Sequence, residues 1–401
     1  MPARLKDGAM REKKRKRPGI SGAVIRRSKR SAKSAWFCSR ARIWRCQGLE
    51  PCIRFGLFQM CSSIRTQTEG STMNVPCSKS PAAFFVLLLG VSAALFCASL
   101  FFGAARVSPW TEEGLWILRE LRFPRALLAF AVGASLAAAG SVLQALFRNP
   151  LADPHLTGVS AGGAAAVVLA SLGAVSWSGF TGSLPLICAA GSLAALAAVV
   201  RLGRRGGVLS VTTLLLAGVM VNSFLVALIV FLQSIRRSEE MEGVLFWLLG
   251  SLGSAPASQG WQVCAVLLAG SAVLLSQAKA LNLIAAGEGR AQALGVPVEK
   301  TKILLFAVTA LLTGAAVSAS GMIGFVGLIA PHLARFRTGQ DYRLLIPASL
   351  LTGGSLLLLS DLLARTIFSP QEIPVGVLTA FLGVPFFLRL LHSGAKPGVQ
   401  R

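Results

Sequence analysis

An all-α membrane protein of about ten transmembrane helices is the fold this sequence predicts, and three observations predict it. Only 14% of the 401 residues are charged while 54% are apolar. The mean hydropathy is +0.65. Apolar runs of about twenty residues recur as far as residue 391, and about 20 residues are what a helix needs to cross about 30 Å of hydrocarbon. Because lipid offers the backbone no hydrogen bonds, such runs are read as helices.

The runs fall at 82–103, 124–147, 155–175, 182–202, 210–234, 258–277, 302–321, 323–337, 344–364 and 373–391. The first follows the short polar start "MNVPCSKS", with Lys79 leading straight into it. The second and third are rich in small residues ("VGASLAAAGSVLQ", 132–144; "GVSAG", 158–162), which lets backbones approach closely where no hydrophobic force draws helices together. Between them lies "RNPLADP" (148–154), where Asn149 before Pro150 favours a turn over continued helix. The eighth run is short and broken by glycines.

Loop charge sets the orientation. With the N-terminus inside, the inner loops carry Arg148, then Arg201, Arg204 and Arg205, then Lys279, Arg290, Lys300 and Lys302, then Arg335, Arg337 and Arg343. Outer loops hold Arg106, Arg119, Arg122 and Arg365, and Arg236 with Arg237 beside three glutamates. Both termini of this multi-pass membrane protein are therefore expected in the cytoplasm.

Composition divides the chain into residues 1–72 and 73–401. The first part carries 18 Lys/Arg against 4 acids, in tracts such as "MREKKRKRPG" (10–19) and "IRRSKRSAKS" (25–34). Such charge cannot bury a core, so a disordered tail is one reading and a nucleic-acid or anionic-lipid arm another. A start at Met73 is the reading favoured here, leaving 1–72 without a function and the protein without a nucleic-acid partner.

Familiar chemistry is scarce. The eight cysteines show no C-x-x-C and no paired histidines, so neither zinc nor a disulfide framework is expected. "GVPVEKT" (295–301) has Glu299 where a phosphate loop needs glycine, which argues against nucleotide binding. Asp361, near the outer end of the ninth run, stands almost alone among intramembrane acids, and carriers driven by protons or sodium usually keep such carboxylates as coupling groups. An intramembrane enzyme would need converging catalytic groups, and none are found. His332 in "APHLAR" is read as hydrogen-bonded within the bundle rather than as a metal ligand.

Several segments resemble one family. "LRFPRALLAFAVGASLAAAGSVLQALFRNPLADPHLTGVSAGG" (121–163), "LLLAGV" (214–219), "FWLLGSL" (246–252), "GEGRAQALGV" (287–296), "GMIGFVGLIAPHLAR" (321–335), "DLLAR" (361–365) and "EIPVGVLTAFLGVPFFLRLL" (372–391) are similar, in order, to the FecCD-type permeases of ABC importers for iron–siderophores, haem and cobalamin. The resemblance implies a type II importer permease that pairs with a second copy or a paralogue. Two cytoplasmic ATPases and an extracytoplasmic substrate-binding protein would complete it, the ATP and magnesium being used by the ATPases. It implies no catalytic residues, no bound cofactor and no metal in this chain, and iron–siderophore is the cargo expected first.

Site residues follow from the same resemblance. The wet segment 287–296 would be the ATPase-coupling helix, with Glu288, Ala291, Gln292 and Gly295 at i, i+3, i+4 and i+7 on one small-residue face and Leu294 beside them. Arg122, Arg125 and Arg365 would meet acidic residues of the binding protein, as exposed guanidiniums can. Asn149, Leu151 and Thr212 would form the cytoplasmic gate.

Overall fold

The structure, a computed structural model, describes residues 81–103, 110–155, 157–173, 183–205, 208–209, 211–235, 246–253 and 255–392. The boundary expected at 72/73 and every reading of residues 1–72 lie outside them.

Each of the ten apolar runs contains a helix. In order the helices are α1 (Pro81–Phe101), α2 (Glu112–Trp116), α3 (Phe123–Leu146), α4 (Val159–Gly173), α5 (Leu184–Gly203), α6 (Val211–Ser234), α7 (Ala257–Ser276), α8 (Ala278–Ala286), α9 (Glu288–Ala293), α10 (Val298–Ser320), α11 (Val326–Thr338), α12 (Tyr342–Thr366) and α13 (Val375–His392). A π-helical turn, Ile117–Arg122, joins α2 to α3. A two-residue antiparallel pairing of Arg204–Arg205 with Val208–Leu209 is the sole strand structure among the described residues.

Among the described residues seven helices are long and apolar enough to cross a membrane. α4 starts at Val159 rather than 155, because Pro150, Pro154 and Gly158 (φ 77°) hold the preceding residues in turns. α11 is short because the chain breaks between Gly321 and Phe325, both at φ 69°.

Small residues decide which helix sits at the centre. Of α3's most apolar stretch 89% is buried, against 11% of α1's. α3 packs most extensively on α12 and also on α10, α11 and α7. Gly133 lies against the backbone of Gly353 in α12, and Gly140 against that of Gly327 in α11, so close that a Cβ at either would collide with main chain. Gln144, the polar residue in this seam, donates from Nε2 to the carbonyls of Gly327 (3.3 Å) and Leu328 (3.4 Å). The outward faces of α1, α6 and α13 expose Val86, Leu87, Phe224, Phe231 and Phe381. Apolar surface of that extent is uncommon on water-soluble proteins and suits lipid.

Candidate functional site

Two clusters of side chains lie at opposite ends of α3. At its C-terminal end the helix closes as a Schellman turn. The Asn149 N–H donates to Gln144 O (3.2 Å) and the Arg148 N–H to Ala145 O (3.1 Å), with Arg148 at φ 44°. Glycine usually takes this left-handed position, because a Cβ crowds the backbone there. The Asn149 side chain then accepts from Leu151 N (2.9 Å), fixing the turn that Pro150 favours. Leu151 and Thr212 are exposed and Asn149 half-buried.

The Arg148 side chain crosses to the next element. Its Nη2 donates to the Ile284 carbonyl in the last turn of α8 (3.2 Å) and lies 3.7 Å from Glu288 Oε1 at the start of α9. Glu288 Oε2 in turn accepts from Lys302 Nζ at 2.6 Å, and Lys302 is 2% exposed. The segment 287–296 is indeed a small helix, six residues long, ending in a second Schellman turn. There Gly295 (φ 81°) donates to Gln292 O (2.9 Å) and Val296 to Ala291 O (3.0 Å).

This geometry corrects the expected coupling face. Ala291 is fully buried and belongs to the apolar core that includes Ile284 and Val298, while Glu288 turns inward onto Lys302 and Arg148. Helical spacing put them on one face with Gln292 and Gly295, but the short helix lies down on the bundle and that face is split by its edge. The exposed surface is Gly289, Arg290, Gln292, Ala293, Leu294 and Gly295, with Leu294 65% exposed.

The three arginines expected to await a partner are likewise occupied within the chain. Arg122 is buried, and its Nη1 caps α1 by donating to the carbonyls of Leu100 (2.7 Å) and Phe101 (2.9 Å). Arg125 is held bidentately by Glu372 (3.0 and 2.9 Å) and donates from Nε and Nη2 to Asp361 Oδ1 (3.1 and 3.0 Å). Arg365 lies 3.0 Å from Asp361 Oδ2, an ion pair off the hydrogen-bond line, and donates to Ser99 Oγ (2.7 Å). These contacts tie α1, α3 and α12 to the segment before α13. At this end a described cation that faces solvent is Arg119, 88% exposed in its side chain.

Three further residues did not stand out in the sequence. Asp153, buried in the turn after α3, accepts from the backbone of Phe325, the residue that opens α11. Burial pushes its carboxyl above the usual range, against the pull of nearby His155 and of the backbone N–H groups of Phe325 and His155. Asn282 of α8 and Asp341 clasp each other across the start of α12. Asn282 Nδ2 donates to Asp341 Oδ1 (2.7 Å), while Asn282 Oδ1 accepts from Tyr342 N (2.9 Å). The hydrogen bonds from Asn282 and from Arg343 N hold the Asp341 carboxyl below its ordinary value. The "ADP" and "QD" contexts could have signalled turn or cap carboxylates, but nothing in the sequence pairs Asn282 with Asp341. His332 packs edge-on against Phe336 and Phe386 (ring centroids 5.1 and 5.7 Å apart), and no three His, Cys, Asp or Glu converge among the described residues.

A helical bundle with a small-residue central helix, an apolar rim and a short polar helix clasped to one end is the architecture of a multi-pass membrane protein. Comparison with known proteins gives the family. Residues 86–393 match the FecCD transport family, and the chain belongs to it. It is 44% identical over 286 residues to the cobalamin import system permease protein of Halobacterium salinarum, covering 70% of this chain and 75% of that protein. It is 40% identical over 323 residues to the hemin transport system permease protein of Yersinia pestis, covering 77% and 94%. A solved structure of an inward-facing metal-chelate type ABC transporter superposes with a TM-score of 0.70 at 33% identity, over 78% of this chain and 99% of the other.

Proposed function

We propose that two copies of this chain, or one copy with a paralogue, form the membrane path of an ATP-driven importer. It would carry a metal chelate inward across the bacterial cytoplasmic membrane by alternating access. One observation carries the reading: two relatives at 40% identity or above are named as a cobalamin and a hemin permease. An iron–siderophore, the cargo expected first, shares the bulk and chelate character of those two and stands beside them. ATP and magnesium belong to two partner ATPases, and cargo selection to an extracytoplasmic binding protein. Both termini are cytoplasmic, and membrane lipid surrounds the bundle.

The inner-surface roles fall to the residues that face out. Gln292, Leu294 and Gly295, with Gly289 and Arg290, offer a small surface with one apolar knob. That suits a helix seated in the groove of a partner ATPase. Asn149, Leu151 and Thr212 line the inner gate. At the outer surface the docking role passes from Arg122, Arg125 and Arg365 to exposed groups such as Arg119.

The test is reconstitution of the permease with its ATPase and binding protein in proteoliposomes loaded with ATP, offered cyanocobalamin, haemin or a ferric siderophore. ATP-dependent accumulation of one of the three is expected; accumulation of none would overturn the reading. Leu294→Asp should lower ATPase co-purification about tenfold, the effect of about 1.4 kcal/mol. Undiminished co-purification would remove α9 from the interface.

A further inference from the structure

We infer that Arg148 and Glu288 form the mechanical link that carries movement of α8 and α9 to the gate turn after α3. Lys302 anchors the far side of that link. The inference rests on the reading of α9 as the element that meets the ATPase, and it names the residues through which that element acts.

The first observation is a conflict between backbone and side chain. Arg148 occupies a left-handed conformation (φ 44°) that glycine would adopt without strain. A long cation kept at such a position needs a reason in what its side chain does, and local conflicts of this kind collect at functional sites. Here the guanidinium leaves its own helix for the carbonyl of Ile284 (3.2 Å) and the carboxylate of Glu288 (3.7 Å), so it grips the end of α8 and the start of α9 together.

The second observation is the stiffness on either side of that grip. Glu288 is held by Lys302 at 2.6 Å, and Lys302, buried in the opening turns of α10, has Glu299 only as a longer partner at 3.7 Å, so the shorter pair ties the Glu288 carboxylate to α10. On the other side Arg148 is followed directly by Asn149, whose side chain holds Leu151 N at 2.9 Å. A displacement of α9 toward or away from the bundle therefore reaches Leu151 through short contacts: Glu288, Arg148, Asn149. Ala291, buried beneath α9, keeps the small helix seated so that it moves as one piece with α8.

The closing experiment separates this link from ordinary stability. Arg148→Gly removes the side chain while relieving the backbone, so assembly is expected to survive. In the complete complex, with the eight native cysteines replaced and Leu151→Cys introduced, the labelling rate by a maleimide is measured with and without ATP. Arg148→Gly should bind the ATPase as the parent does yet lose the ATP-dependent change in labelling by at least about fivefold, the size of a modest coupling energy. Glu288→Gln, which keeps shape and removes charge, should show the same loss. A full ATP-dependent change in Arg148→Gly would overturn the link while leaving the coupling role of α9 intact, and loss of ATPase binding in that variant would overturn it in favour of docking. Absence of ATPase binding by the parent complex would instead overturn the coupling reading itself.

Discussion

Asp361 and Glu372 grip the same guanidinium, but burial makes them unequal. The Asp361 side chain is fully buried between Arg125 and Arg365, whose side chains are 15% and 5% exposed, whereas that of Glu372 is 43% exposed. Removing the Asp361 charge leaves the buried Arg365 guanidinium without a counterion, while Arg125 keeps Glu372, a loss of about 3–5 kcal/mol. Removing the Glu372 charge exchanges a half-solvated pair for water and costs at most about 1 kcal/mol. Thermal unfolding in detergent should therefore show a large fall for Asp361→Asn and a small one for Glu372→Gln; equal shifts would mean that burial does not set the two carboxylates apart. The sequence marked these arginines but misjudged their company. Arg125 meets its partners 236 and 247 residues further along the chain, a distance over which neither spacing nor periodicity carries information. A guanidinium at a span end reads as solvated until the packing of α12 and the segment before α13 is known.

At the scale of elements, hydrophobic runs were legible because lipid imposes a length that the sequence must meet, and all ten reappear as helices. Their trimmed ends followed turn chemistry: Pro150, Pro154 and Gly158 delayed α4, and Gly321 to Phe325 broke the chain before α11. Small-residue stripes foretold close packing without saying which faces meet. The structure supplies that: Gly133 against Gly353, Gly140 against Gly327. Gly133→Ala and Gly140→Ala would each drive a Cβ into main chain that cannot swing aside, and should cost about 1–3 kcal/mol through forced helix separation. Gly90→Ala on α1 has no neighbour within 4 Å and should leave thermal stability unchanged or slightly raised. Equal melting temperatures for all three would argue against α3 as the packed centre. For α9, helical spacing alone did not say which residues meet solvent: Ala291 is buried in the core while its neighbour Gln292 is exposed, a division set by how the short helix lies on the bundle.

Over the whole molecule, charge is distributed between the two ends in a way the loops only half revealed. Arg122 and Arg365, counted as outer-loop cations, are drawn inside the bundle, and Lys302, counted as an inner one, is buried on Glu288. Among the described residues, what remains in solvent is lopsided. Arg201, Arg204, Lys279, Arg290, Lys300, Arg337 and Arg343 are exposed around the Arg148 end of α3, while Arg119 is exposed at the opposite end. Cations close to the ends of spans hold their loops in the cytoplasm, and exposed ones are free to do so, whereas a guanidinium neutralised by Asp361 contributes little. The expected orientation places the Arg148 end, with α8 and α9, in the cytoplasm. Fusions give the check. A fluorescent protein that matures only in the cytoplasm, inserted after Gly339 between α11 and α12, should fluoresce. Alkaline phosphatase, active only outside the membrane, should be active when fused after Ser369, between α12 and α13. Reciprocal signals would invert the protein, put α9 outside the cell beyond reach of any ATPase, and so remove the physical basis for coupling through Glu288 and Arg148.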